Sequence, residues 1–139
     1  MNNVEPKYWG PHAWNFLYYV AISYPDNPTM DEKQNMNTFL QSLKNILPCE
    51  KCRNNYSRNL NNIRLTDQVL SNRYNLIHWL ISLQNEIYKM NGRNKVITYD
   101  HIIKKYLTRK NPKIITLTNI GIMMVVILLI IKFYFLRKK

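Results

Sequence analysis

Pro48-Cys49-Glu50-Lys51-Cys52 is where one helical pattern ends and another begins. On its N-terminal side Met36, Phe39, Leu40, Leu43 and Leu47 recur at three- and four-residue steps, the spacing of a buried helix face. Thr29-Met30-Asp31-Glu32 opens that helix in the form of a capping box, Thr at the N-cap and Glu three residues on, and Pro48 closes it. On the C-terminal side a third, more polar helix runs from Cys49 to about Leu60, and residues 61–65 link it to the next element. Further out, Pro11 suits the first turn of a helix whose apolar face is Trp14, Leu17, Tyr18, Ala21 and Ile22, stopped by Pro25 and Pro28. A fourth segment over residues 67–90 places Leu70, Tyr74, Ile77, Leu80, Ile81 and Ile87 along one face, with Asn91-Gly92 as its stop. A short fifth helix starting at Thr98 or Tyr99 carries Ile102, Ile103, Tyr106 and Leu107. Only residues 96–99 have the composition of a short strand. These patterns predict an all-α fold, a four-helix up-down bundle plus a short fifth helix.

The last part of the 139-residue chain has a different character. Residues 114–131 carry no charge, and Thr116, Thr118 and Asn119 are the only polar interruptions. Extended through Phe133-Tyr134-Phe135 to Leu136, the run reaches the roughly 17–25 residues of a membrane-spanning helix. Lys132 can snorkel, and Arg137, Lys138 and Lys139 form a basic stop. The expected organisation is a soluble domain over residues 1–112 and one C-terminal transmembrane anchor over residues 113–139, a single-pass membrane protein. Residues 1–6 are polar and show no signal peptide, and Lys104, Lys105, Arg109, Lys110 and Lys113 precede the apolar run. The domain is therefore expected to face the cytosol. The formal net charge is +12, of which residues 114–139 hold four basic side chains and no acid, leaving +8 on residues 1–113. Those basic residues are dispersed rather than gathered in a stripe, which argues against nucleic acid, and the ones beside the apolar run suit anionic lipid head groups.

Both cysteines of the chain lie in the one CxxC, too few for the disulfide framework of a small secreted fold. At the first turn of a helix their sulfurs sit near backbone N–H groups that lack intrahelical partners. The positive helix end, with Lys51 and Arg53 nearby, favours the thiolate, the form that reacts and that binds metal. A structural zinc needs four ligands, and His12, His78 and His101 stand at no short ligand spacing from one another, so zinc is the weaker reading. A thioredoxin-like motif would need a βαβ context that the helical pattern does not supply. A cycling dithiol also needs an electron acceptor. Glycine occurs only at positions 10, 92 and 121, so there is no Gly-rich phosphate loop, and a flavin would have to lie among the helices. Trp9, Trp14 and Trp79 are candidate walls for it, although Trp14 and Trp79 read equally well as core. Spacing alone leaves these readings open.

Taken in order, several motifs resemble the Erv/ALR family of FAD-dependent sulfhydryl oxidases over roughly residues 7–107. Gly10, Trp14, Leu17 and Tyr18 follow the family's opening Gly, Trp and Leu-His pattern. Tyr24-Pro25-Asp26-Asn27-Pro28-Thr29 looks like its first interhelix turn, and Pro48-Cys49-Glu50-Lys51-Cys52 looks like its active-site motif. The fourth-helix signature Trp-Leu-x-x-Leu-His-Asn-x-Val-Asn corresponds to Trp79-Leu80-Ile81-Ser82-Leu83-Gln84-Asn85-Glu86-Ile87-Tyr88, and Gly92-Arg93 stands for Gly-Lys. The chain departs from the pattern at four places: Tyr18 and Gln84 replace His, Tyr88 replaces Asn, and Pro11 replaces a common Arg.

The resemblance implies FAD held between the helices, in a protein that is usually a homodimer. It implies Trp9, Gly10, Trp14, Tyr18, Cys52, Gln84, Asn85, Tyr88 and Arg93 as cofactor-binding residues. Cys49 and Cys52 would be catalytic, Cys49 exchanging with substrate and Cys52 lying next to the isoalloxazine ring. Electrons would pass from a substrate dithiol through the cysteine pair to FAD and on to O2, giving hydrogen peroxide. The second cysteine pair and the intersubunit disulfide of many members are absent, so the implied partner is a separate dithiol protein or a thioredoxin- or glutaredoxin-like carrier. A minimal tethered member of this kind resembles the oxidases of large cytoplasmic DNA viruses, acting in host cytoplasm or virion; an organellar membrane protein of a eukaryote is the competing source. The alternative from another class is a membrane-anchored helical adaptor whose CxxC is structural or zinc-binding.

Overall fold

Pro6, rather than Pro11, opens the first helix. The computed structural model describes residues 3–108 and 112–137, with the side chains of 121–130, 132–134 and 137 in the second range, and α1 runs Pro6–Ser23 with Pro11 inside it. Pro11 withholds one bond from the carbonyl of Lys7, four residues back, where the chain is exposed and water can take its place. Helix α2, Met30–Ile46, has the expected capping box. The Glu32 N–H donates to Thr29 Oγ1 (3.2 Å) and the Thr29 N–H donates to Glu32 Oε2 (2.7 Å). Helix α3 is Glu50–Asn62, with Cys49 as its N-cap.

The fourth segment is not one continuous helix. A 3-10 turn, Val69–Ser71, precedes α4, Arg73–Met90, because Asn72 is extended (φ −166°, ψ 168°) and its Oδ1 accepts the Asn75 N–H at 2.8 Å. A side chain that caps a helix start in this way breaks the run expected from periodicity alone. Asn91 then caps α4, and Gly92 takes the left-handed φ of 68° that releases the chain. Helix α5 is Tyr99–Tyr106, preceded by Thr98, whose Oγ1 accepts the His101 N–H. Leu107 falls beyond it and is exposed. Residues 96–99 form no strand.

The core centres on α4. Leu76, Ile77, Leu80 and Leu83 are at most 1% exposed, and they share a cluster with Leu17, Tyr18 and Ala21 of α1, Leu40 and Leu43 of α2, and Tyr56 and Leu60 of α3. Helix α4 packs on α1, α3, α5 and the 3-10 turn, while α2 packs on α3. Tyr74, expected on the buried face, is instead 54% exposed and lies against His78 and Tyr99, ring centroids 4.3 and 5.1 Å away. Trp79 is core, and its indole N–H donates to the carbonyl of Ile63, the C-cap of α3 (3.0 Å).

A second unit, Leu107–Lys139, contains α6, Pro112–Arg137. Side chains 121–130 of α6 are all exposed. Among the described residues no helix is long and apolar enough to cross a membrane. The expected span over residues 114–136 includes 114–120, 131, 135 and 136, whose side chains lie outside the described residues.

Candidate active site

Leu47 is the C-cap of α2, and three donors gather at the turn behind it. The Cys49 N–H and the Arg53 guanidinium both donate to the Leu47 carbonyl, at 2.8 and 2.6 Å, and the Arg53 N–H donates to the Cys49 carbonyl at 2.9 Å. These bonds fix the turn so that Cys49 is extended (φ −153°, ψ 121°) and its Sγ accepts the Cys52 N–H at 3.2 Å, one of the N–H groups that a helix start leaves without a backbone partner. Cys49 and Cys52 are joined as a disulfide, with Cα atoms 5.1 Å apart. Cys49 is 9% exposed; Cys52 is half-buried. Among the described residues no three His, Cys, Asp or Glu side chains gather as metal ligands.

The disulfide lies in the wall of a cleft with two lobes. The first, about 500 Å³, is lined by both cysteines, by Trp9, Trp14, Leu17, Leu43, Leu47 and Tyr56, and by Lys51 and Asn55. The second, about 470 Å³, is lined by Tyr18, Gln84 and Tyr88 at its floor and by Lys7, Lys95, His101, Lys105 and Tyr106 around it. Pro6, Gly10, Trp14, Ile87, Asn91 and Arg93 border both. Helices α1 and α4 thus build the shared wall, with α2 and the start of α3 completing the first lobe and α5 the second. Gly10 stands where the lobes join, and a Cβ there would meet nothing within 4 Å, so this side of the cleft is open.

The two lobes differ in chemistry. The first is apolar and aromatic around its sulfurs. The second holds four Lys or Arg side chains and no acid among its lining residues. Its floor is a chain of hydrogen bonds, buried at one end and half-buried at the other: the Tyr18 hydroxyl donates to Gln84 Oε1 (2.7 Å), and Gln84 Nε2 donates to the Tyr88 hydroxyl (3.1 Å). Burial, and then the neighbouring Tyr106 and Tyr88 hydroxyls, push the Tyr18 phenol well above its ordinary pKa, so it remains a proton donor. The Arg93 guanidinium lies 5.6 Å from the Tyr88 ring centroid. Helix α5 is tied to α1 through Asn15 Oδ1, which accepts from Tyr106 (2.6 Å) and Lys105 (3.0 Å).

The residues singled out from sequence divide between the lobes. Trp9, Cys49 and Cys52 line the first; Tyr18, Gln84 and Tyr88 line the second; Gly10, Trp14 and Arg93 line both. Asn85 lines neither. Its carboxamide grips Ile97 at both ends, Nδ2 donating to the carbonyl (2.9 Å) and Oδ1 accepting the N–H (2.7 Å), which holds the segment leading into α5. Sequence reasoning passed over Lys7, Lys95 and Asn91, since isolated cations and a helix-stop Asn carry no spacing signal. Ile87 was legible as one of an apolar series and also forms part of the shared wall.

A disulfide at a helix N-terminus, opening on a cleft between helices, defines a thiol–disulfide exchange protein on an all-helical scaffold. The Erv1 / Alr family matches residues 11–107, and the chain belongs to that family. It is 41% identical over 110 residues to R368 of Acanthamoeba polyphaga mimivirus, named a probable FAD-linked sulfhydryl oxidase, a match covering 79% of this chain and 76% of that protein. It is 31% identical over 80 residues to the mitochondrial FAD-linked sulfhydryl oxidase ERV1 of Saccharomyces cerevisiae, covering 58% of this chain and 41% of that one. The crystal structure of the FAD binding domain of Erv1 from Saccharomyces cerevisiae shares the fold, with a TM-score of 0.69 at 22% identity over 78% of this chain and 100% of that chain.

Proposed function

We propose that this chain is an FAD-linked sulfhydryl oxidase that forms disulfide bonds in dithiol proteins, with Cys49 and Cys52 as its redox pair. The proposal rests on one observation, a Cys49–Cys52 disulfide set in the wall of a cleft faced by Trp9, Trp14 and Tyr56. The residues present fit the cofactor. The first lobe offers flat apolar surfaces to a planar ring, and the second offers Lys7, Arg93, Lys95 and Lys105 to a diphosphate, with open space between at Gly10. The chemistry that FAD supplies when bound is two-electron acceptance from a dithiol and delivery of those electrons to O2, with hydrogen peroxide as product.

The exchange itself belongs to the chain's own sulfurs. A substrate thiolate attacks Cys49 Sγ, forming a mixed disulfide and releasing Cys52 as a thiolate in the first lobe. The second substrate thiolate attacks the substrate sulfur of that bond, and Cys49 leaves. The substrate dithiol has then lost two electrons and two protons, and the Cys49–Cys52 pair has gained the electrons. Helix geometry favours the second step: Cys49 Sγ accepts the Cys52 N–H at the positive end of α3, which stabilises it as a thiolate and so makes it a fast leaving group when the substrate disulfide closes.

The same reading extends to assembly and location. Helix α6, 26 residues and about 39 Å long, would tether the domain as a single-pass C-terminal anchor across a hydrocarbon core of about 30 Å. The uncharged run over residues 114–131 and the basic residues on both sides support it. A homodimer is supported by Phe16 and Tyr19, 58% and 50% exposed on α1, with Phe16 edge-on to Phe39 of α2. The similarity to mimivirus R368 supports a source in a large DNA virus, with the domain facing host cytoplasm and a dithiol protein or thioredoxin-like carrier as its partner. The full-length chain purified in detergent with FAD should be yellow and should consume O2 when given dithiothreitol. A folded, colourless protein inert to dithiols would refute the proposal.

A further inference from the structure

Residues 3–5 lie along the turn that carries Cys49. The Val4 N–H donates to the Pro48 carbonyl (2.7 Å), the Glu50 N–H donates to Asn3 Oδ1 (2.9 Å), and the Val4 carbonyl accepts from the Trp9 indole (3.1 Å). The residues directly before and after Cys49 are therefore both bonded to this strap. Cys49, the sulfur that takes the first attack in the exchange, is also the less exposed of the two. Both strap contacts to the turn therefore fall on the residues adjoining the sulfur that a substrate thiol must reach.

The strap is weakly held. Asn3, Val4 and Glu5 are all exposed, and none of them joins the core cluster. Three hydrogen bonds at a wet surface do not outweigh the entropy of ordering three residues. What it binds is specific, however. Cys49 is strand-like, Pro48 presents a carbonyl beside it, and Glu50 presents one of the N–H groups left free at the start of α3. An extended peptide satisfies such an edge through its main chain, as strands added to sheet edges do.

We propose that the Pro48 carbonyl and the Glu50 N–H form a docking edge for the extended, cysteine-bearing segment of the dithiol substrate, and that residues 3–5 occupy that edge until substrate displaces them. The proposal rests on Cys49 being the exchange cysteine of an oxidase. Docked on the edge, the substrate holds its thiolate beside Cys49. The new bond to Cys49 Sγ forms as the Cys49–Cys52 bond breaks, with the electron pair leaving on Cys52. The second substrate thiolate then closes the substrate disulfide and releases Cys49, and the two substrate protons go to solvent. A contact made through the main chain selects flexible extended segments over cysteines fixed within a packed fold.

The test uses the full-length chain with FAD in detergent, a linear peptide bearing two cysteines, the same peptide N-methylated at the main-chain nitrogens flanking the reacting cysteine, and dithiothreitol. N-methylation should lower kcat/KM by about two- to tenfold, the effect of removing one surface hydrogen bond. The double variant Asn3→Ala/Val4→Pro, which removes both strap contacts to the turn, should raise kcat/KM for the parent peptide by about the same factor with an unchanged thermal midpoint. Equal rates for methylated and parent peptides would overturn the proposal. So would a folded double variant that oxidises the peptide no faster than the unmodified chain, because the strap would then be shaping the turn rather than occupying an edge. If the double variant does not fold, the methylated peptide decides with the unmodified chain. An unmodified chain that fails to oxidise dithiothreitol overturns the oxidase reading, and with it this one.

Discussion

Replacing Gln84 by Leu keeps roughly the side-chain volume and removes both polar ends of the side chain that links α4 to Tyr18 of α1 in the cleft floor. Tyr18 is 1% exposed and Gln84 5%. In Gln84→Leu the Tyr18 hydroxyl loses the acceptor it holds at 2.7 Å, and a buried donor left unpaired costs about 1–3 kcal/mol. Tyr88, half-buried at the cleft edge, can turn to water and adds little. The new Leu recovers part of the difference through apolar burial, so the expected net loss is about 1–2 kcal/mol. Tyr18→Phe leaves Gln84 Oε1 unpaired instead, with a loss of similar size, about 1–2 kcal/mol. The double variant has no orphan on either side, so its loss should fall below the sum of the two by about 1 kcal/mol or more. Equilibrium urea unfolding of the three variants, followed by circular dichroism, measures this coupling. Losses that add to within about 0.5 kcal/mol would show that Tyr18 and Gln84 act independently and would refute the network.

Further outcomes follow from other parts of the structure. Burial raises the Tyr18 and Tyr56 phenols above the unfolded value of 10.0, so the stability they confer is complete below about pH 10 and is lost as pH rises past it; Tyr56→Phe should make the fall in urea midpoint above that pH shallower, and a variant that tracks the parent would refute this. Thr29→Ala removes the N-cap of α2 and should destabilise by about 1 kcal/mol in urea unfolding. Gly92→Ala should cost about 1–2 kcal/mol by the same measure through its φ of 68° alone, since a Cβ there meets nothing within 4 Å; no loss would mean that the turn relaxes. Cys49→Ser should abolish dithiol oxidation but retain a long-wavelength absorbance from the Cys52 thiolate against oxidised flavin, whereas Cys52→Ser should lose both. The opposite assignment of the band would exchange the two roles.

What could be read from sequence follows from what each signal measures. Periodicity reports which residues face inward, and it placed Leu17, Tyr18, Leu40, Leu43, Ile77 and Leu80 in the core. It is blind to a break made by a side chain, which is why Asn72 divides residues 67–90 and why Tyr74, in phase with Ile77, faces out against His78 and Tyr99. Proline reads as a helix start wherever it stands in the first turns, so Pro11 hid the earlier start at Pro6. The thiol lobe was legible because a CxxC after a helix-ending Pro carries its own chemistry. The basic lobe was not, because Lys7, Arg93, Lys95 and Lys105 come from segments far apart in sequence and meet only once Asn85 and Asn15 have fixed the segment around Ile97 and α5.

The four departures from the family pattern fall together in space. Pro11, Tyr18, Gln84 and Tyr88 all line the second lobe, and none of them lines the lobe that holds Cys49 and Cys52. Three of the four are bonded in sequence, Tyr18 to Gln84 to Tyr88, so they act as one exchange of floor rather than three separate losses. A floor built from two phenols and a carboxamide is uncharged and joined by hydrogen bonds, whereas the cations of that lobe line it as well. Under the proposal that this lobe takes the diphosphate of FAD, such a change bears on how tightly the cofactor is held, and it leaves the sulfur geometry at the start of α3 untouched. Affinity for the cofactor and the rate of thiol exchange are therefore separable in this chain: changes at Tyr18, Gln84 or Tyr88 should move the first while sparing a single turnover of the Cys49–Cys52 disulfide with a dithiol, and changes at Arg53, which anchors the turn through the Leu47 carbonyl, should do the reverse.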